Sequence, residues 1–65
     1  MKEGYVMSEL PNDPMILLSY VNTALRDRFS SLDAFCACYG ADRKLLEQKL
    51  SLIDYQYDAD TNRFV

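Results

Sequence analysis

From Asp13 onward the apolar residues of the chain fall into three helical stripes and then change period. In "DPMILLSYVNTALRDRF" the positions Leu17, Leu18, Val21, Ala24, Leu25 and Phe29 recur at three- and four-residue intervals, which places them on one side of a helix. Asp13 is a good N-cap and Pro14 suits the first helical position, where its missing N–H is not needed. The spacing predicts a first helix from Pro14 to Phe29. Ile16, Tyr20 and Thr23 form a second track on the side away from that core stripe. A lone surface helix has no use for such a track, so a cover is expected: the N-terminal "YVMSEL" or a second copy of the protein.

"SSLDAF" restarts the helical pattern. Ser30 with Asp33 three residues later resembles a capping box, and Leu32, Phe35, Cys36 and Tyr39 share a face. Gly40 is suited to the left-handed conformation that closes a helix. Asp42 is the expected cap of a third helix, with Leu46, Leu50 and Ile53 inward and Leu45 and Leu52 at the flanks. After it "YQYDADTNRFV" alternates, turns through Ala59–Asn62 and returns, as a hairpin with a four-residue loop does. Asp58 is placed to accept from the turn backbone, and Asn62 tolerates positive φ. The fold expected is mainly α: a three-helix, helix-turn-helix-like domain with a short C-terminal β-hairpin, winged-helix-like in order. Residues 10–65 form this single domain, 1–9 are expected to be a flexible extension, and Met7 offers a second start.

At 65 residues such a domain is near the lower size limit for folding alone and buries only about 60% of its unfolded surface, so a partner subunit would help. Seven Lys+Arg against ten Asp+Glu give a net charge of −3, a poor match for phosphate backbones. No secretory signal and no membrane-length apolar run is present, and two cysteines two residues apart staple nothing; the expected location is cytoplasmic.

The strings "LPNDPMILLSYVNTALRD", "SSLD", "DRKLLEQKL" and "YQYDADTNRF" together resemble a small bacterial family, domain-of-unknown-function family 4250. The resemblance runs from Leu10 to Phe64. It implies a short, stand-alone bacterial protein and carries no activity, cofactor or site residues with it.

Candidate chemistry is sparse. Asp58-x-Asp60-x-Asn62 matches the first half of a calcium loop, but Arg63 stands where a glycine is required. Cys36 and Cys38 point about 200° apart on a helix, with no histidine or third cysteine to complete a zinc site. Cys36 is expected in the core and Cys38 half-exposed. No acid–base or nucleophile constellation is evident, so a non-catalytic protein without cofactor or metal is expected. Two surfaces remain. A polar line on the first helix, Ser19, Asn22 and Arg26, lies beside Ile16, Tyr20 and Thr23 and suits a protein partner or a second copy of the chain, a homodimer being the expected assembly. Internal use of Asn22 and Arg26, tying down the "PNDP" turn or the hairpin, would explain the same residues. The alternative is DNA reading by the third helix through Arg43, Lys44 and Gln48 with Arg63 from the wing, opposed by Asp42, Glu47, Asp58 and Asp60. Tyr55, Tyr57 and Phe64 fit better as the hairpin's packing than as a stacking platform for nucleic acid.

Overall fold

The computed structural model describes residues 10–65; the segment 1–9, expected as an extension, lies outside them. Helix α1 spans Pro14–Asp27, α2 Leu32–Tyr39 and α3 Arg43–Ser51. Strands β1 (Tyr57–Asp58) and β2 (Arg63–Phe64) pair antiparallel, Tyr57 opposite Phe64 and Asp58 opposite Arg63. The fold is therefore three helices followed by a two-stranded hairpin with a four-residue loop.

Each helix begins on a side-chain cap. Asp13 Oδ1 accepts from the N–H groups of Met15 (2.8 Å) and Ile16 (3.3 Å), and Asp42 Oδ1 accepts from Lys44 (2.9 Å) and Leu45 (3.3 Å). At α2 the cap is Ser31, whose hydroxyl takes the Ala34 N–H at 3.1 Å. The expected capping box on Ser30 is thus displaced by one residue, and Asp33 turns instead to Arg43 of α3, Oδ1 to Nη1 2.8 Å. Helix α1 also stops two residues early. The N–H groups of Arg28 (2.8 Å) and Phe29 (3.1 Å) converge on the Ala24 carbonyl, which winds the last turn open. Phe29 nevertheless reaches the core, edge-on to Phe35 at 5.6 Å between centroids.

The core is the set of stripes expected: Leu17, Leu18, Val21, Ala24 and Leu25 from α1, Leu32, Phe35, Cys36 and Tyr39 from α2, Leu46 and Leu50 from α3. Phe64 of β2 completes it at 2% exposure. Phe35 and Tyr39 stack at 4.6 Å, and Tyr57 and Phe64 tilt together at 5.6 Å across the hairpin. Leu45 of α3 and Leu52, the residue just past its end, lie in solvent two turns apart. Cys38 is exposed, whereas Cys36 is buried, and burial pushes the Cys36 thiol up. Cys36 is a packing residue.

Two helix ends need left-handed backbone. Gly40 adopts φ +64 at the turn between α2 and α3, and its N–H bonds the Cys36 carbonyl, which also accepts from Ala41 at 2.9 Å. An added Cβ would meet nothing within 4 Å, so backbone conformation and not space demands glycine. Asp54, at φ 66, performs the same turn after α3, where the Tyr55 N–H reaches back to the Leu50 carbonyl at 3.1 Å. Gly40→Ala should lower stability by about 1 kcal/mol through backbone strain alone, leaving the circular dichroism spectrum unchanged; urea unfolding measures it.

Candidate functional site

Antiparallel pairing leaves Phe64 in a demanding position. Gln56 and Val65 exchange both backbone hydrogen bonds (3.0 and 2.9 Å), so at the next pair, Tyr57 and Phe64, the backbone groups face away from the partner strand. Phe64 therefore buries its ring while its own N–H and C=O point toward α1. Asn22 satisfies both: its Oδ1 accepts the Phe64 N–H at 2.8 Å and its Nδ2 donates to the Phe64 carbonyl at 3.1 Å. One side-chain amide thus does the work of a third strand.

Asn62, at φ 55 in the turn, makes the second tie. Its Nδ2 donates to the carbonyls of Leu25 (3.2 Å) and Phe29 (3.0 Å). The Leu25 carbonyl would receive the Phe29 N–H in a continuing helix, but that donor has gone to Ala24. The Asn62 Oδ1 accepts from the Tyr57 hydroxyl at 2.6 Å, and this hydroxyl in turn accepts the Leu32 N–H at the start of α2 (3.2 Å). The hairpin turn thereby caps the end of one helix and the beginning of the next. Asn62 is directed inward, away from the calcium-loop role its spacing evokes, and Asp58 uses Oδ1 to accept the Asp60 N–H at 3.0 Å.

Seating the hairpin on α1 leaves an open groove of about 780 Å³ between them. Ser19, Thr23 and Arg26 line it from α1, and Thr61, Asn62 and Arg63 from the hairpin, with Asn22 and Leu25 completing the wall. Among the described residues no carboxylate lines it. Arg26 is drawn aside to the neighbouring Asp27 (Nε to Oδ1 2.8 Å), a pair largely in solvent, and this hydrogen bond holds the Asp27 carboxyl below its ordinary range.

On the other flank of α1, Tyr20 stands beside Tyr39. Their hydroxyls are 2.8 Å apart and their rings meet edge-on at 5.9 Å. Arg28 Nη2 donates to the same Tyr39 oxygen at 2.6 Å. Tyr20 is thus held in one orientation while remaining 39% exposed, and Met15 (57%) and Ile16 (58%) extend the apolar surface toward the N-terminal end of the helix.

The six residues of the polar and apolar lines on α1 are therefore divided by the structure. Asn22 is committed to the hairpin, the internal use foreseen for it; Arg26 and Ser19 face the groove, Ile16 and Tyr20 face solvent, and Thr23 stands between. Of the residues considered for DNA, Arg43 is held by Asp33, by Glu47 (Nε to Oε2 3.0 Å) and over the Tyr57 ring at 5.4 Å. Lys44 and Gln48 are exposed on α3 beside Tyr55 and Tyr57, and Arg63 belongs to the groove on the α1 side. The structure does not bring these four together on one face. The clamp and the turn relay were signalled in the sequence only by asparagines at positions that a surface helix and a turn would fill equally well.

Three helices closed by a hairpin that two asparagines tie to the first helix define a small, mainly helical domain. Residues 11–64 match the model of the family described as a domain of unknown function, DUF4250, and the chain belongs to that family. No curated protein matches the chain, and no solved structure matches it. Among the described residues no helix is long and apolar enough to cross a membrane.

Asn22→Ala leaves the two Phe64 backbone groups without protein partners and should lower stability by about 1–3 kcal/mol. Asn62→Gly keeps the left-handed turn and removes only the amide, and a loss of about the same size is expected; no loss would show that backbone conformation alone matters there. Urea unfolding separates the two. Tyr20 adds a pH dependence: its hydrogen bond with Tyr39, and then burial, raise its pKa above the ordinary tyrosine value. A raised folded-state pKa means the contribution is complete below about pH 10 and is lost as pH rises through the folded value. The stability difference between the wild type and Tyr20→Phe should accordingly shrink in alkaline buffer.

Proposed function

We propose that this protein is a small non-catalytic interaction module of the cytoplasm that associates with a second copy of itself through the exposed face of α1. The observation that carries this reading is Tyr20, fixed by Tyr39 yet 39% exposed, with Ile16 one turn before it at 58%. Tyrosine is favoured at interfaces, and a ring already held in place loses little freedom on binding. Leu45 and Leu52 offer no comparable surface, because isolated exposed leucines two turns apart are ordinary. A self-complementary patch on one helix suits a two-fold dimer, and burial there would add to a core of twelve residues among those described.

The DNA reading draws less support. Arg43 already serves two carboxylates and an aromatic ring, and the hairpin turn presents Asp60. Sedimentation equilibrium at micromolar concentrations should give a dimer for the wild type and a monomer for Ile16→Asp with unchanged helical content. A wild type that stays monomeric at tens of micromolar overturns self-association. Duplex DNA binding at about 50 mM salt that vanishes in Arg43→Glu/Lys44→Glu would put the third helix in its place.

A further inference from the structure

We propose that the groove between α1 and the hairpin binds an extended, acidic segment of a partner protein, its carboxylates taken by Arg26 and Arg63. The chain as a whole is acidic, with ten Asp+Glu against seven Lys+Arg, yet among the described residues this groove is lined by two arginines and no carboxylate. The other two arginines are engaged: Arg43 by two carboxylates, Arg28 by the Tyr39 hydroxyl. Arg63 has no ion-pair partner among the described residues, and its cross-strand neighbour Asp58 is directed to the Asp60 N–H. Among the described residues Arg26 has only Asp27, held through Nε and Nη2 (2.8 and 3.1 Å) but largely in solvent, so an incoming carboxylate exchanges one exposed ion pair for another.

The shape selects the ligand class. The groove is open, so a small anion would keep most of its surface in water, whereas binding sites for small molecules enclose most of theirs. From Ser19 to Arg26 the helix supplies a wall of about 10 Å, the length of about three residues of extended chain. Ser19, Thr23 and Thr61 place hydroxyls along it that suit a peptide backbone, and each arginine offers a planar fork to a carboxylate. The rigid floor comes from the same two asparagines that hold the hairpin.

This inference rests on α1 being the interaction surface, but it concerns the flank of that helix opposite Tyr20, so the two are separable. The probe is a short fluorescein-labelled peptide of alternating glutamate and serine, titrated into the full chain and followed by anisotropy and by amide chemical shifts. Binding should move the resonances of Ser19, Thr23, Thr61 and Arg63, and Arg26→Glu/Arg63→Glu should weaken it at least about tenfold. Lys44→Glu changes the net charge in the same direction outside the groove and should leave affinity within about twofold. Arg26→Gln/Arg63→Gln, checked by circular dichroism, gives the same loss without charge reversal if the forks themselves bind. Equal weakening by Lys44→Glu, or shifts scattered over the surface, overturns the site. Millimolar inorganic phosphate that displaces the peptide and reproduces its shifts overturns the peptide in favour of a small anion. A monomeric wild type that still binds the peptide defeats self-association alone; a dimer that ignores the peptide defeats the groove alone.

Discussion

Burying the Phe64 ring creates the constraint that the rest of the molecule answers to. Phe64 is the hairpin's one fully buried residue, and the register Tyr57–Phe64 aims its N–H and C=O at α1, away from β1. A two-stranded hairpin is marginal in water and needs a packed face, but packing this face would strand two backbone groups. Asn22 removes the conflict with a single amide placed on the shoulder of α1, between the buried stripe and the exposed face. Leucine there would pack as well and leave both groups unsatisfied; serine would be too short to reach both.

The second tie explains why α1 ends where it does. Once the Arg28 and Phe29 N–H groups both turn to Ala24, the Leu25 carbonyl lacks a donor and the chain leaves the helix axis. Asn62 supplies that donor from the far end of the sequence, and through the Tyr57 hydroxyl it also satisfies the Leu32 N–H at the head of α2. Helix end, linker, helix start and hairpin turn are thus joined by one small polar network in a protein whose fully buried residues are all apolar or aromatic among those described. Networks of this kind are cooperative, since losing one member leaves several groups unpaired. They also fix the distance between α1 and the hairpin, and hence the width of the groove.

Periodicity makes the helices and the core face legible in the sequence. Leu17, Leu18, Val21, Ala24, Leu25 and the stripe from Leu32 to Tyr39 are buried as their spacing requires, and Asp13, Asp42 and Gly40 cap as their chemistry requires. Local rules failed where tertiary contacts chose between near-equivalent neighbours. Two serines stand side by side, and Ser31 caps because Asp33 is drawn to Arg43 and Phe29 is pulled to the core. Asp54 in the left-handed region carries no glycine to announce it. The groove was less legible still, because it joins Arg26 to Arg63 across 37 residues of chain, and no periodicity relates a helix face to a returning strand.

Charge placement decides which surface is free to act. Where the helix-turn-helix resemblance would ask for a basic third helix, Arg43 is locked between Asp33 and Glu47 and laid over Tyr57. Moving it to a phosphate would break two ion pairs and a cation–π contact that link α2, α3 and the hairpin, so its charge belongs to the fold. On α1 and β2 the opposite holds: among the described residues Arg26 is paired only with its sequence neighbour, Arg63 has no ion pair, and Tyr20 is held while part of it remains in solvent. A residue whose interactions are all internal serves stability, whereas one that is positioned but not engaged is available to a ligand. By that physical criterion the side chains that the fold leaves least engaged lie on the first helix and the hairpin beside it, and the second and third helices are the frame that holds them.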